Sequence, residues 1–285
     1  MKRIILGTMT WGSWGKQKTV SQMAQSIETA VLQDLTTFDH ADIYGGYTTE
    51  ATFGEALQQT GVSRKNIQLI TKCGIQYPCE ARELTVKHYD YRPEHLNFSI
   101  ESSLNHLRTD YLDLLLLHRP SPLMEVEAIA DTLQKHLAAG IIRAVGVSNF
   151  TPQQIRLLGS KIPLEWNQIE CSLTHFNPLL DGQLEFHQEQ SIGTMAWSPL
   201  GSYFKETNAQ QQRLQPLIQQ LCKSYACTED QLLLAWLLKH PAQVFPVLGT
   251  TQASRWQLAQ EALQIDLSLT DWFLMLEASQ GHKVP

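Results

Sequence analysis

The sequence contains no long hydrophobic run. Its greasiest stretch, Leu232 to Leu238, is far shorter than a membrane span. The apolar residues that follow Lys2 and Arg3, Ile4 to Leu6, are too few for a signal-peptide core. Cysteine is sparse: Cys73, Cys79, Cys171, Cys222 and Cys227 are odd in number and scattered, with no CxxC pair. That is poor material for a disulfide framework or a zinc site, and it points to a soluble protein of a reducing, cytoplasmic compartment with no membrane partner. Positive charge is also short. Twenty-two Lys and Arg stand against 28 Asp and Glu, a formal net charge of −6. A binder that neutralises phosphates would be basic, so nucleic acid is not an expected partner. Charged residues make up 18% and hydrophobic ones 43%, which argues against disorder and for a sizeable core.

Several familiar motifs are missing too. No GxGxxG follows a β-like run, so a Rossmann dinucleotide site has no support. Gly7 to Gly12 has the glycine spacing of a P-loop, but Ser13 stands where the phosphate-binding lysine belongs. There is no GxSxG and no HExxH. The first β-like run carries no histidine pair, and the ten histidines are spread along the chain, so no metal site is expected.

What the chain does have is alternation. Short apolar runs recur at Ile4–Leu6, Thr36–Asp39, Gln68–Lys72, Leu112–Leu117, Ala144–Val147, Trp166–Glu170, Gly193–Trp197 and Phe245–Leu248, each followed by a candidate helix. Ser21 to Gln33 repeats Met23, Ile27, Ala30 and Val31 at helical spacing. Pro93 suits the first turn of a helix through Ile100, Leu104 and Leu107. Thr151-Pro152 reads as an N-cap and first helical position, and Gly140 as the stop of a helix over Glu127–Ala139. Repeated βα units require a parallel sheet with right-handed crossovers, and eight of them in this length match a (β/α)8 TIM barrel. With no linker or composition break, 1–285 reads as one domain. The connection from Gly74 to Arg92, with Tyr77, Pro78, Tyr89 and Tyr91, is unusually long, as functional loops often are.

Barrel active sites lie at the C-terminal ends of the strands. The second run ends FDHADIYGG, the third ITKCG and the fourth LLLLHRP. Strands in a sheet lie about 5 Å apart, so Asp39, Lys72 and His118 can share one patch, with Tyr44 folding over it. Asp39 can hold the Lys72 ammonium, the cation can lower the pKa of the Tyr44 phenol, and His118 can donate to a substrate oxygen. Any one of these residues alone is readily structural. Four at consecutive strand ends make a tuned proton donor with an electrophilic clamp, which suits a carbonyl reduced by an external hydride source.

These segments resemble the aldo-keto reductase superfamily. FDHADIYGGY, TKCG and LLLLHRP are similar to its strand 2, 3 and 4 motifs, and further matches follow in order: Gly146–Phe150, Trp166–Glu170, Trp197–Gly201 and Val247–Thr251 with Arg255. The resemblance implies an enzyme that moves hydride from NAD(P)H to an aldehyde or ketone. Tyr44 would be proton donor, Lys72 and Asp39 would tune it, and His118 would orient the carbonyl. It implies NADPH as cofactor, with NADH less favoured, bound without a Rossmann motif. Thr8, Ser148, Asn149 and Gln168 would contact it, the last three at the nicotinamide carboxamide, and Trp197 would stack on the ring. Ser198, Leu200 and Gly201 would follow the pyrophosphate. Gly249, Thr250 and Thr251 would open the last barrel helix toward a phosphate, and Arg255 would grip the 2′-phosphate. Departures from the family pattern are Trp197 for tyrosine, Gly249 for a lysine, Leu258 and Ala259 for polar residues near the adenine, and an N-terminal hairpin that is shortened or missing. A C-terminal helical extension follows the barrel.

Trp11, Tyr77, Tyr91, Tyr203 and Phe204 are candidates to line the pocket and predict an apolar or aromatic small-molecule carbonyl. Cys73 beside Lys72 is either redox-sensitive or a small packed residue. A monomer or weak homo-oligomer is expected. Two rivals remain at this stage: a nucleotide-binding regulatory subunit of the same fold with little turnover, and a lyase or isomerase using Lys72 as a Schiff-base amine.

Overall fold

Strands covered by helices on one side and by each other's side chains on the other need apolar residues on both faces, and the short runs supply them: Leu6, Phe38, Leu69 and Leu115 pack in the outer core, Ile5, Ile70 and Leu114 in the inner one. The computed structural model describes all 285 residues. Its barrel strands are β1 (Ile5–Gly7), β2 (Thr37–Asp39), β3 (Gln68–Cys73), β4 (Leu114–Leu117), β5 (Val145–Ser148), β6 (Trp166–Glu170), β7 (Gly193–Trp197) and β8 (Phe245–Leu248). They close in sequence order, all parallel, with β1 between β8 and β2. The expected runs lie within two residues of the observed strands at every end. The (β/α)8 barrel is therefore the fold of this chain.

Ten helices accompany the strands: α1 (Val20–Leu32), α2 (Thr49–Gln59), α3 (Pro93–Leu107), α4 (Val126–Ala138), α5 (Pro152–Gly159), α6 (Gln183–Glu189), α7 (Ala209–Tyr225), α8 (Glu229–Leu238), α9 (Ala253–Glu261) and α10 (Leu269–Gln280). Local chemistry sets their ends. Thr19 and Thr151 form capping boxes with Gln22 and Gln154, and Pro93 and Pro152 occupy first-turn positions. Gly140, at φ +70°, reverses the chain after α4. α10 is the C-terminal extension. It is pinned by Trp272 stacking on Trp236 of α8 at 4.9 Å, each indole N–H donating to the other residue's carbonyl. No helix is long and apolar enough to cross a membrane.

The registers place Ile70, Leu114, Leu116, Met195 and Val247 together inside the barrel with Ile5. The N-terminal end of the barrel is closed by first residues of strands: the Trp166 and Phe245 rings meet edge-on at 5.0 Å. Arg3 lies over Phe245 at 4.9 Å and donates to the Val244 carbonyl. The Trp166 indole fits because its lateral neighbours in register are glycines, Gly146 and Gly193. A Cβ at Gly193 would run into the indole, and one at Gly146 would meet the Trp166 carbonyl at 2.6 Å.

The long Gly74–Arg92 connection is not structureless. Ile75–Gln76 pairs antiparallel with His88–Tyr89, and the Arg82 guanidinium stacks on Tyr47 at 3.9 Å while donating to Gln76. Two-residue strands carry no period, so the sequence pattern did not expose them.

Replacing Gly193 with Ala should overpack the Trp166 layer and destabilise the fold by about 1–3 kcal/mol. The expected readout is a lower urea midpoint with unchanged m value. Gly61→Ala, where an added Cβ meets nothing within 4 Å, should leave the midpoint in place.

Candidate active site

Inward-facing positions at the C-terminal strand ends bring the four expected side chains together. Lys72 is 1% exposed and Asp39 2% exposed. The Lys72 ammonium donates to both Asp39 oxygens at 2.8 Å, to the His40 carbonyl at 2.8 Å and to the Tyr44 hydroxyl at 3.2 Å. Tyr44 reaches it because β2 ends in a tight turn at Ala41–Gly46, which brings the phenol back over the strand ends. The Tyr44 and His118 rings meet edge-on at 6.2 Å.

Electrostatics follow from this packing. Burial alone would strip the proton from Lys72, but Asp39 and Tyr44 more than offset it, and the ammonium is held above its ordinary range. A cation this fully engaged has no free lone pair, which counts against a Schiff-base amine. For Tyr44 the expected lowering by Lys72 is present but loses: burial pushes the phenol up, and the net shift is upward. The phenol is therefore a proton carrier at neutral pH. Burial, then the Lys72 and Arg119 charges, drive the His118 imidazole well below its usual value, so it is neutral. Its Nδ1 is buried without a partner.

A second set of polar groups fastens the mouth. Ser148 donates to the Gln168 carbonyl at 2.9 Å and accepts from the Asn149 amide at 2.7 Å. The Trp197 indole N–H donates to Asn149 Oδ1 at 3.0 Å. Gln168 donates to Asp39 Oδ1 at 3.0 Å, across the barrel. Asn149 and Ser198 hold left-handed backbone conformations, at φ 62° and 50°. Gly201 is also left-handed, and a Cβ there would collide with Thr174 Oγ1, so this glycine has a packing reason of its own.

Beyond β8 the chain opens. Gly249 is exposed, with nothing near a would-be Cβ. Thr250 and Thr251 lead to α9, whose N-cap Gln252 makes no side-chain cap bond. Arg255, exposed on α9, lines a cavity of about 540 Å3 with Phe204, Lys223, Thr228 and others, and has no salt-bridge partner. Leu200 is half-buried against the core.

Several sequence-derived placements need correction. Thr8 is fully buried: its hydroxyl donates to the Asp39 carbonyl at 3.0 Å and meets His40 Nδ1 at 2.9 Å. It supports the Asp39 backbone and offers no surface to a ligand. Trp11 is 0% exposed, packed among Phe38, Phe53 and Trp256. Tyr91 is buried; Gly74, at φ +104°, leaves room for its ring, and its hydroxyl binds both the Arg119 carbonyl, at 2.5 Å, and the Arg119 amide, at 3.1 Å. It steadies the residue beside His118 rather than facing a pocket. Tyr203 is buried as well. Cys73 is buried with its thiol pushed well above the usual range, a packed residue rather than a reactive one.

Trp14, not Trp11, stands at the mouth, exposed and 6.2 Å from Tyr44 and 5.5 Å from Tyr77. It lies in the turn-rich loop after β1, where spacing gives no direction to a side chain. Sequence reasoning also missed two buried acids. Asp42 has both carboxyl oxygens buried and unpartnered, and burial followed by the nearby Glu50 raises it well above the carboxylate range. Glu50 accepts from Thr71, the residue before Lys72, and from Ser103 at 3.0 Å. Burial lifts it to about 7.

A raised carboxyl pKa favours the folded state at low pH. The Glu50 contribution is full below about 4.5 and fades as pH climbs through 7. Glu50→Gln keeps both partners without the charge. Its stability relative to wild type, read by urea unfolding between pH 4.5 and 8, should improve by about 2–4 kcal/mol as pH rises. A pH-independent difference would show that Glu50 is not held neutral.

Comparison with known proteins agrees with this arrangement. The model of the Aldo/keto reductase family matches residues 3–278. The chain is 39% identical to the "Uncharacterized oxidoreductase YcsN" of Bacillus subtilis, over 99% of this chain and 96% of the other. It is 37% identical to a 6-dehydroglucose reductase of Agrobacterium fabrum, over 99% and 97%. A crystal structure of an aldo/keto reductase from Klebsiella pneumoniae in complex with NADP and acetate superimposes with a TM-score of 0.78 at 25% identity, covering 100% of this chain and 93% of that one. The barrel, the strand-end cluster and these likenesses lead to one conclusion: the chain belongs to the aldo/keto reductase family and is an oxidoreductase of that type.

Proposed function

We propose that this oxidoreductase reduces the carbonyl of an aldehyde or ketone with NADPH, with Tyr44 as proton donor. The observation that carries the reading is the Lys72 ammonium, bound to both Asp39 oxygens at 2.8 Å and to the Tyr44 hydroxyl at 3.2 Å. A buried lysine so engaged is costly to maintain unless its charge serves the group it faces.

The residues fit a nicotinamide dinucleotide phosphate. Arg255, free of ion pairs on the wall of an open cavity, offers the planar fork that suits a phosphate. The uncapped start of α9, with Gly249, Thr250 and Thr251 before it, offers backbone N–H groups to a second phosphate. Trp197, half-exposed and fixed by Asn149, offers a ring face. Ser198, Leu200 and Gly201 lie on the chain between, and Gln168 Oε1, with no protein donor, remains free for an amide. When bound, the reduced nicotinamide supplies the hydride.

The chain's own part is to hold and charge-balance the carbonyl oxygen. His118 is neutral, and its Nδ1 faces protein that offers no acceptor. Its proton therefore belongs on Nε2, a donor toward the mouth. Tyr44 keeps its proton at neutral pH because burial raises its pKa. As negative charge grows on the carbonyl oxygen, Tyr44 passes that proton to it. Lys72, 3.2 Å away, stabilises the phenolate left behind. Asp39, tied to Gln168 and to the Thr8-braced backbone, stops the ammonium from moving.

The pocket aromatics now support a different substrate from the one the sequence suggested. With Trp11, Tyr91 and Tyr203 buried, the mouth presents Trp14, Tyr77 and Trp197, with the Arg119 guanidinium 5.8 Å from the Trp197 ring. An aromatic wall beside a cation suits a polar, oxygen-rich carbonyl compound. The likeness to 6-dehydroglucose reductases from two bacteria points the same way.

Four outcomes test this reading. NADPH mixed with the protein and a panel of aldehydes, ketones and oxidised sugars should lose its absorbance at 340 nm. Tyr44→Phe should lower kcat by about 10²–10⁴-fold and leave NADPH affinity nearly unchanged; a wild-type rate would remove Tyr44 from its role. Arg255→Leu should raise the KM for NADPH by about 10–100-fold, the loss of a charged hydrogen bond, and leave that for NADH unaltered. With the phenol raised, the reduction rate should stay level through neutral pH and fall only above 10, while alcohol oxidation climbs with pH.

A further inference from the structure

Five cysteines are scattered in the sequence, and the fold brings two of them together. α7 ends at Tyr225, Ala226 takes the left-handed conformation at φ 49°, and the Cys227 amide turns back onto the Cys222 carbonyl at 3.0 Å. In such a helix-ending motif the side chains at these two positions touch. Here both are thiols, both partly exposed, on one helix-ending turn. They share a wall of the 540 Å3 cavity with Arg255. Helix termination usually places two apolar groups at this contact; a dithiol there is a chemical group with its own reactivity.

We propose that Cys222 and Cys227 are a reversible dithiol–disulfide couple, a modification site at the corner between α7 and α8 that small disulfides of the glutathione class oxidise. In the first step one cysteine sulfur attacks the external disulfide, forming a mixed disulfide and releasing one small thiol. In the second the other cysteine attacks the protein-bound sulfur of that mixed disulfide and expels the second small thiol. Two protein S–H bonds and one external S–S bond become one protein S–S bond and two external S–H bonds. The protein gives up two electrons and two protons, and the two released thiols take them.

Geometry favours the second step over capture of another partner. The backbone has already turned, with the Cys227 amide on the Cys222 carbonyl at 3.0 Å, so ring closure needs side-chain rotation that brings the sulfurs to about 2.05 Å. The environment sets the pace. Burial and the neighbouring thiol and carboxylates push Cys222 up to about 12, and burial raises Cys227 as well. Thiolate is scarce, so closure is slow near neutrality. By the same chemistry the reduced pair gains no thiolate stabilisation, which is what makes a disulfide strongly oxidising, so this one, once formed, resists reduction. Cys73 and Cys171 are buried and Cys79 has no cysteine neighbour, which makes them internal controls.

The test uses the full chain, incubated with oxidised glutathione at mildly alkaline pH, alkylated, and digested with trypsin. Trypsin cuts after Lys223, between the two cysteines, so the disulfide appears as two joined peptides lighter by two hydrogen atoms than their reduced sum. The join should vanish with dithiothreitol, and Cys222→Ser should leave glutathione trapped on Cys227. Full alkylation of both cysteines after oxidation, or separate glutathione adducts with no join, would overturn the proposal. A second arm rests on the reading of Arg255 as a 2′-phosphate site: saturating adenosine 2′,5′-bisphosphate should cover the thiols and slow closure several-fold. A disulfide that forms at an unchanged rate supports the dithiol couple and counts against the 2′-phosphate placement alone.

Discussion

The structure turns on one ammonium group kept almost wholly out of water. An isolated charge in that position is prohibitive, and pairing alone often fails to recover the cost of desolvation. Lys72 is tolerated because every one of its donor directions is met: two carboxylate oxygens, a backbone carbonyl and a phenol. Each of those partners is fixed in turn by something further out. Thr8 braces the Asp39 carbonyl, Gln168 reaches across the barrel to the Asp39 carboxylate, and the turn after β2 brings Tyr44 back over the strand ends. Nearby acids reduce the crowding of charge: burial raises Asp42 well above the carboxylate range and Glu50 to about 7, so below neutral pH the site carries one engaged ion pair.

The barrel and the cluster were legible in the sequence because both follow from period and order. Alternating short apolar runs and amphipathic segments leave little choice of topology, and the strand ends then name themselves. Asp39, Lys72, His118 and Tyr44 were found that way. Directions of side chains in loops were not legible. Trp11 and Trp14 are three residues apart in one turn-rich segment, yet one is sealed in the core and the other stands at the mouth. Tyr91 looked like a pocket wall and proved to be a brace for Arg119, because the left-handed Gly74 makes room for its ring. The sign of the Tyr44 shift was also beyond the sequence, since it depends on how completely burial outweighs one nearby cation.

The two ends of the mouth differ in kind. Around Lys72 the polar groups are buried and committed to each other, which gives a fixed field and little freedom. Toward α9 the backbone is exposed, and the cavity wall carries Arg255 without an ion pair, the Glu229 and Asp230 carboxylates and two thiols. A rigid end suits proton transfer, where position and charge must be ready before the reaction. An open end leaves room for a large ligand, and it is also where covalent chemistry from solvent has access. The hydrogen-bonded chain of Ser148, Asn149, Gln168 and Trp197 spans β5 to β7 and joins the mouth's far side to Asp39.

The most direct test of the central claim is single-turnover reduction of a carbonyl substrate by NADPH-loaded wild-type and Lys72→Met protein, with folding checked by circular dichroism. If the buried ammonium is what lets Tyr44 yield its proton, the methionine variant should bind NADPH as before and turn over about 10²–10⁴-fold more slowly. A well-folded Lys72→Met protein that reduces the substrate at the wild-type rate would contradict the account.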